Sequence, residues 1–355
     1  MNDIADDFVS LIESMCEDGS NDEDANHGSC IRGFGDLVHR AGLETVSTLA
    51  LDRRMGFLDT TISPDTKLII DSIQGYQTAS NQAMFGFPLW KFVHTSLSSV
   101  LTKLIKHKDN LCRIIGTLVD EALDDNLEDG APDAEEQSSI LKQLLRNPDL
   151  TTKDVKASVT DYITAGVDTI GNSIIFAIAL IAKHPHVQER LHAEIDAVLS
   201  LGEHLTDTTI SQMPYLRACV TESFRIYPTA SQLARVTEEE FVTKSGIRLP
   251  AGTVVLCHHR IASLKEENFT NANEFCPERW LDSESFPVSE KKLIMPFGIG
   301  KRVCPGKRLA QQEIHIIVAK IFQKYEISLA DDMIVEFNWL LTPERNMKVN
   351  VMHRS

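Results

Sequence analysis

The chain has 355 residues, of which 43% are hydrophobic, so it is long enough to bury a large core. Acidic residues outnumber basic ones by 51 to 35, and the net charge of −16 argues against a nucleic-acid-binding surface. The seven cysteines show no metal-binding spacing and are odd in number, which favours a reducing compartment and mostly buried free thiols.

The first 26 residues are rich in acidic side chains. A short stretch with apolar periodicity precedes the acidic run at 17–24, so we interpret residues 1–26 as an acidic, partly disordered lead-in. This composition is the opposite of an Arg-rich, acid-poor mitochondrial transit peptide, and no secretory signal is visible. The chain has no run of about 18 uncharged apolar residues, so we predict no transmembrane helix.

Helical periodicity dominates the next part of the chain. Apolar residues at helical spacing predict packed helices over 31–56 and over 65–125, with an interruption at 86–90. Residues 124–137 are acidic and contain a glycine and a proline, which predicts a linker.

A long helix is predicted after this linker. Thr151 is followed by an acidic residue in the first turn, as is typical of a helix N-terminus. The proline-free run 155–183 would span roughly 44 Å as a helix. Within it, Gly166 lowers helix stability by about 0.5–1 kcal/mol relative to Ala, and Thr169 can bond back to a carbonyl one turn earlier. This pattern indicates a loosened turn with room for a small ligand; the alternative is a glycine for close helix packing.

Two later segments carry charges at spacings that allow pairing. Glu222 and Arg225 are three residues apart and share one face of a predicted helix, although a surface ion pair would explain them equally well. The segment Phe-Cys-Pro-Glu-Arg-Trp at 275–280 supplies a second arginine, Arg279. Between them, residues 246–256 read as a β-hairpin.

One cysteine lies in a glycine-rich loop just before a helix. Residues 297–306 read Phe-Gly-Ile-Gly-Lys-Arg-Val-Cys-Pro-Gly, and an amphipathic helix is predicted over 307–322. Free N–H groups and the dipole at a helix N-terminus favour an anion, so they stabilise a Cys304 thiolate. The alternative is a structural cysteine on an ordinary glycine-rich loop.

The pattern Phe-Gly-x-Gly-x-Arg-x-Cys-x-Gly resembles, position for position, the haem-ligand loop of the cytochrome P-450 superfamily. The order of the Ala-Gly-x-Asp-Thr, Glu-x-x-Arg and Phe-x-Pro-Glu-Arg-Trp segments before it is also similar to that family. The resemblance implies a mainly α fold with a small β portion, forming a single haem-thiolate monooxygenase domain over residues 1–355. Family members are longer, so the resemblance also implies that this chain lacks their N-terminal portion.

The resemblance further implies a haem b cofactor and a role for each residue that matches a family motif. Cys304 would bind the iron, Thr169 and Asp168 would act on the oxygen side in hydrogen bonding and proton delivery, and Glu222, Arg225 and Arg279 would form a structural triad. Arg235 and Arg302 would bind the haem carboxylates. The remaining cofactor-binding positions are Phe297, Gly298 and Gly306.

Several segments are similar to the mitochondrial-type branch of the family, and within it to arthropod hydroxylases of ecdysteroids. This implies a small lipophilic substrate, a ferredoxin-type electron donor, and a peripheral position at the mitochondrial inner membrane. A mitochondrial-type oxidase of xenobiotics and a truncated, non-catalytic relative remain the alternatives. Six basic residues near the cysteine-side elements predict a docking site for an acidic donor, unless they are ordinary solvated side chains: Arg217, Lys291, Lys292, Lys301, Lys307 and Arg308.

Overall fold

The computed structural model describes residues 1–18, 28–85, 99–128, 140–281 and 293–354. Helices make up most of these residues, as predicted. They are α1 (Asn2–Asp18), α2 (Phe34–Leu51), α3 (Pro64–Phe85), α4 (Ser99–Glu128), α5 (Ile140–Leu145), α6 (Thr152–Ala182), α7 (Pro185–Val198), α8 (Asp207–Ser211), α9 (Pro214–Ile226), α10 (His259–Ser263) and α11 (Lys307–Lys324). Two short 3₁₀ helices cover Pro277–Trp280 and Gly300–Arg302.

The chain divides into two compact units. The first contains Asp3–Met15 and Gly33–Gly171, and the second contains Cys16–Arg32 and Asn172–Ser355. In the first unit, α3 packs along α4, and α2 contacts α4 and α5. In the second unit, α9 packs against α7, α11 and the 3₁₀ helix Pro277–Trp280. The single domain over residues 1–355 stays a prediction.

The small β portion lies in the second unit and consists of short antiparallel pairs. A three-stranded sheet has the order β1–β9–β6, and two-stranded sheets join β2 to β5, β3 to β4 and β7 to β8. The strands are β1 (Ser29–Ile31), β2 (Leu233–Val236), β3 (Phe241–Val242), β4 (Arg248–Leu249), β5 (Val254–Cys257), β6 (Tyr325–Leu329), β7 (Val335–Phe337), β8 (Leu341–Pro343) and β9 (Val349–His353).

The hairpin predicted over 246–256 is wrong in its pairing. Arg248 pairs with Val242, whereas Val255 pairs with Arg235. The two halves of the segment therefore belong to different sheets. Local sequence indicates extended backbone and turns, but the partner of a strand depends on which other strand lies beside it.

Residues 2–18 of the predicted lead-in, which include its apolar-periodic stretch, form α1, and partial disorder over residues 1–26 stays a prediction. Its apolar side chains repeat at helical spacing and are buried, including Ile4, Phe8 and Ile12. Acidic residues occupy other positions around the helix, so its high charge does not prevent packing. Residues 19–27 lie outside the described part of the chain.

The predicted linker at 124–137 begins later than expected. Helix α4 continues to Glu128, because residues 117–128 contain no glycine or proline. Residues 129–139 lie outside the described ranges, as does the predicted interruption at 86–90.

The long helix predicted over 155–183 is present as α6, 31 residues from Thr152 to Ala182. Thr151 caps it, since its hydroxyl lies 3.2 Å from the Asp154 N–H while the Asp154 carboxylate accepts from the Thr151 N–H at 2.9 Å. Among the described helices, α6 is the one long and apolar enough to cross a membrane, and 83% of its most apolar window is buried within the protein.

The expectation that most cysteines are buried is also wrong. All seven lie in described residues and none forms a disulfide, but only Cys16 and Cys219 are buried. Cys30, for example, lies on β1 between residues that face the other way, and Ile31 takes the buried position. Burial raises the pKa of the Cys219 thiol and of the half-buried Cys276, so these two remain protonated at neutral pH.

Candidate functional site

The loop that carries Cys304 is closed by backbone hydrogen bonds. The Cys304 N–H donates to the carbonyl of Phe297 at 2.9 Å, and the Gly298 N–H donates to Met295 at 3.0 Å. Gly298 and Gly300 adopt φ angles of 72° and 73°, which side chains other than glycine rarely accept. These turns bring the half-buried Cys304 thiol close to the start of α11.

The thiol lies directly before a regular helix. Gly306 is the N-cap of α11, and a Cβ added to it would lie 3.9 Å from the Cys304 sulfur. The first N–H groups of an α-helix have no partner within the helix, and together with the dipole they favour a negative charge. The loop therefore places a soft sulfur atom beside the N-terminus of a helix.

Neighbouring elements of the second unit anchor this loop. The Phe297 ring packs edge-on against Phe224 of α9, with ring centroids 5.3 Å apart. The Lys307 ammonium lies 5.9 Å from the centroid of the Phe297 ring. A Cβ at Gly298 would lie 3.6 Å from a methyl carbon of Leu233, so the start of β2 contacts the loop.

Two predicted arginines are exposed near these elements. Arg235 lies on β2 and donates to its neighbour's carbonyl, Ala234 O, at 2.7 Å. Arg302 lies in the 3₁₀ helix two residues before Cys304. Within the described residues neither guanidinium forms an ion pair with a carboxylate. Both are therefore available to an external carboxylate.

Apolar side chains are also exposed on the same elements. Val236, Val254 and Leu256 of the β2–β5 pair are 61%, 62% and 52% exposed, and Ile299 and Val303 of the cysteine loop are 62% and 44% exposed. Exposed apolar side chains near polar groups commonly mark a binding surface. These elements contact one another and together present a thiol, two arginines and apolar side chains. Such a set fits a ligand with a metal centre, carboxylates and a flat apolar body.

Glu222 is the centre of a buried charge network. Its side chain is fully buried and accepts from Arg225 at 2.8 and 2.9 Å and from Arg279 at 2.9 Å. Trp280 Nε1 and the Cys276 N–H also donate to it, at 2.8 and 3.0 Å. One carboxylate on α9 thus binds five donors from α9 and from the segment 276–280.

Arg225 connects this network to a second segment. Its guanidinium donates to the carbonyls of Ser263, Ala272 and Glu274. Because the guanidinium is completely buried, these bonds satisfy donors that Glu222 does not reach. The three residues predicted as a triad are therefore brought together, and Trp280 joins them. Trp280 follows Arg279 directly in the sequence motif, so its place in the network could have been predicted from the motif.

Asp168 and Thr169 lie on α6 in the first unit. The Thr169 hydroxyl donates to Ala165 O at 2.8 Å and lies 3.1 Å from Gly166 O. Asp168 is buried, and its Oδ1 lies 3.8 Å from Nε2 of His39 on α2. Sequence reasoning missed His39, because a single histidine on an apolar helix carries no local signal.

Gly166 allows close packing at the same place. A Cβ added to it would lie 2.9 Å from both methyl carbons of Val46. The close-packing interpretation of this glycine therefore describes a contact that is present. This contact does not exclude a loosened turn, because the Thr169 hydroxyl hydrogen-bonds to carbonyls of the preceding turn of α6.

The family model named "Cytochrome P450" matches residues 3–351 of the chain. The chain belongs to the cytochrome P450 family. This is the family in which a cysteine thiolate binds haem iron, so membership implies haem as the cofactor. The resemblance predicted from the Cys304 loop is thereby confirmed.

Individual relatives agree with the predicted branch of the family. Ecdysone 20-monooxygenase of Drosophila melanogaster is 31% identical over 366 residues, which cover 100% of this chain and 65% of that protein. The mitochondrial sterol 26-hydroxylase of Mus musculus is 28% identical, over 94% of this chain and 62% of its own length. The chain thus spans less than two thirds of the length of these curated relatives.

The fold agrees with a solved member of the family. A crystal structure of a cytochrome P450 (CYP102L1) aligns with 99% of this chain and 73% of its own, with a TM-score of 0.77 and 19% identity. At this identity the likeness concerns the fold alone. It confirms the predicted mainly α cytochrome P-450 fold with a small β portion.

Proposed function

We propose that this protein is a haem-thiolate monooxygenase that hydroxylates an ecdysteroid-like steroid with dioxygen and electrons from a ferredoxin-type donor. The observation that carries the proposal is the similarity of the whole chain to Ecdysone 20-monooxygenase at 31% identity. The similarity to sterol 26-hydroxylases supports the same class of lipophilic substrate. The names of the sterol 26-hydroxylases and of one cytochrome P450 of D. melanogaster include "mitochondrial", which supports a mitochondrial location, with peripheral membrane association as part of the proposal.

In this proposal the second unit holds the haem, which supplies the oxygen chemistry when it is bound. Cys304 would be the iron ligand, and the closed loop holds its sulfur beside the start of α11. Phe297, Gly298 and Gly306 shape the surface next to the ring. The exposed guanidinium groups of Arg235 and Arg302 bind its carboxylates, a task suited to their planar donors.

The proposal also assigns roles to the remaining predicted residues. Asp168 delivers protons, and Thr169 orders the hydrogen bonds on the oxygen side. The hydroxyl of Thr169 can serve in this way because its two carbonyl partners lie within its own helix. Glu222, Arg225 and Arg279 have a structural role, because their ion pairs connect α9 to the segment 276–280.

The electron donor binds the basic side chains near the cysteine loop. Arg217, Lys301, Lys307 and Arg308 are exposed in the second unit, on a protein with a net charge of −16. An acidic ferredoxin would be attracted to such a group and repelled by the rest of the surface. Lys291 and Lys292, which belong to the same prediction, lie outside the described residues.

The ferrous carbon monoxide spectrum of the purified, haem-supplemented chain tests the haem-thiolate site. We expect a thiolate-type Soret band for the unmodified chain and its loss in Cys304→Ser, a replacement that removes the soft ligand and little volume. Cys276→Ser provides the matched control and should keep the band. Absence of the band in the unmodified chain would favour a non-catalytic relative.

Turnover tests the substrate class. We expect hydroxylation of ecdysone in a system reconstituted with ferredoxin and its reductase, and slower or no turnover of an unrelated aromatic xenobiotic. Preferential oxidation of the xenobiotic would overturn the steroid assignment and support the alternative oxidase. A preference for a sterol would support the steroid class of substrate but contradict the assignment of an ecdysteroid.

A further inference from the structure

The carboxylate proposed to deliver protons faces a buried imidazole. Asp168 of α6 is 6% exposed and His39 of α2 is 4% exposed, and the His39 Nε2 lies 3.8 Å from Asp168 Oδ1. Both residues belong to the first unit. We infer that His39 is a positioning residue that holds Asp168 in the orientation needed for proton delivery next to Thr169. The inference rests on the proposed function, because it takes Asp168 as the residue that delivers protons.

A second contact determines which ring nitrogen faces Asp168. The His39 Nδ1 lies 2.7 Å from Gly35 O, one turn earlier in α2. A carbonyl oxygen only accepts hydrogen bonds, so Nδ1 carries a proton and donates it to this bond. Nε2 is the other ring nitrogen, and it is the one directed toward Asp168.

Two glycines allow the helices to approach on both sides of Asp168. A Cβ added to Gly171 would lie 2.6 Å from Cδ2 and 2.9 Å from Cγ of His39. Gly166 makes the corresponding room for Val46, which follows His39 by two turns on α2. The imidazole thus packs against α6 at a position that only glycine permits, which fixes its distance from the carboxylate.

The contact with His39 also bears on the cost of burying the Asp168 carboxyl group. A buried charge is costly unless a partner compensates it. A hydrogen-bond donor at the Nε2 position can compensate the carboxylate of Asp168 and limit the orientations that it takes. A glutamine amide placed at the same position shares this property.

Two substitutions at position 39 separate the proposed role from simple packing. His39→Asn places an amide near Nδ1, where it can still donate to Gly35 O, but removes the group that faces Asp168. His39→Gln places its amide near Nε2 instead. We expect the fraction of consumed dioxygen recovered as product to fall about tenfold in His39→Asn and to recover to within about twofold in His39→Gln.

Two further measurements exclude a purely structural effect. In an Asp168→Asn background, His39→Asn should change coupling no further, because the residue acts through that carboxylate. The kinetic isotope effect on turnover in heavy water should rise in His39→Asn and stay near the unmodified value in His39→Gln. Additive losses of coupling, or an unchanged isotope effect in His39→Asn, would overturn the inference.

Nuclear magnetic resonance tests the contact without turnover. In protein labelled with nitrogen-15 histidine, the His39 signals are assigned by their absence in His39→Asn. We expect the Nε2 signal to shift in Asp168→Asn while Nδ1 stays protonated. An unchanged Nε2 signal would refute the contact. If the unmodified chain gives no thiolate-type carbon monoxide spectrum, the proposed function fails, whereas this measurement still decides whether His39 and Asp168 interact.

Discussion

His315, on α11, is an imidazole that the fold keeps uncharged. Burial lowers its pKa to about 4, and its contact with the backbone at Gln311 opposes that shift only in part. The unfolded chain, with an ordinary histidine pKa of about 6.5, therefore binds the proton more readily than the folded chain. Stability must decrease as the pH falls from about 6.5 toward 4.

We expect this histidine to lower the free energy of unfolding by about 2 kcal/mol between pH 7 and pH 5. The variant His315→Gln cannot titrate and can still donate to the Gln311 carbonyl. Urea unfolding at the two pH values checks the prediction. The difference between the pH values should shrink by about 2 kcal/mol in His315→Gln, and an unchanged difference would contradict it.

Glu222 provides a second test at the level of one side chain. Its removal leaves two buried guanidinium groups without their carboxylate, and such a loss typically costs about 3–5 kcal/mol. We expect Glu222→Ala to lose this much unfolding free energy, and haem content with it, as measured by urea unfolding and absorbance.

An exposed ion pair serves as the control for this substitution. Asp332 pairs with Lys183 at 2.8 Å, but the two side chains are 87% and 58% exposed. Asp332→Ala should therefore destabilise the protein much less than Glu222→Ala does. Equal losses for Glu222→Ala and Asp332→Ala would show that burial of the network contributes little.

At the scale of elements, the contact between α2 and α6 depends on glycine. We expect Gly166→Ala to destabilise the protein by about 1–3 kcal/mol, because the new methyl group overlaps Val46. Val46→Ala in the same chain should restore part of that loss. Thermal unfolding of the single and double variants checks both expectations, and strictly additive losses would contradict the contact.

Gly116 on α4 offers the matched helix position. A Cβ there would meet only a side-chain carbon of Lys156, at an ordinary distance of 3.7 Å. Gly116→Ala should therefore stabilise the protein by about 0.5–1 kcal/mol through helix propensity. The opposite signs expected at the two glycines distinguish close packing from a general effect of alanine.

At the scale of the whole molecule, the net charge of −16 makes local basic groups decisive for an acidic partner. Lys307→Glu should raise the apparent KM for ferredoxin about tenfold at low salt and by less as the ionic strength increases. Lys348→Glu makes the same charge change at another exposed lysine, one paired with Asp331, and should have little effect. Steady-state turnover over a range of ferredoxin concentrations measures both.

Sequence was most informative where the chemistry lies in consecutive residues. The Cys304 loop, its glycines and the helix after it are local features, so their turns and their place before α11 could be predicted from residues 297–322 alone. The capped start of α6 was predictable for the same reason, because Thr151 and Asp154 are three residues apart.

Contacts between distant segments could be predicted only where both residues belong to a sequence motif. Glu222 and Arg279 belong to motifs of fixed order, so their pairing could be anticipated through the family resemblance. The contact between His39 and Asp168 has no such pattern, because only Asp168 belongs to a motif, and the approach of α2 to Gly166 and Gly171 has none either. The predicted strand pairing was wrong for the same reason, since residues 248 and 255 pair with strands of different sheets.

Local sequence patterns were sufficient to identify the family, the Cys304 loop and the succession of helices, because periodicity, caps and motifs act over a few neighbouring residues. The folded structure was needed to show that α1 packs through its apolar face, that Trp280 and the Cys276 N–H bind Glu222, and that His39 faces Asp168. These contacts depend on which helix faces lie next to each other, and that follows from packing of the complete core.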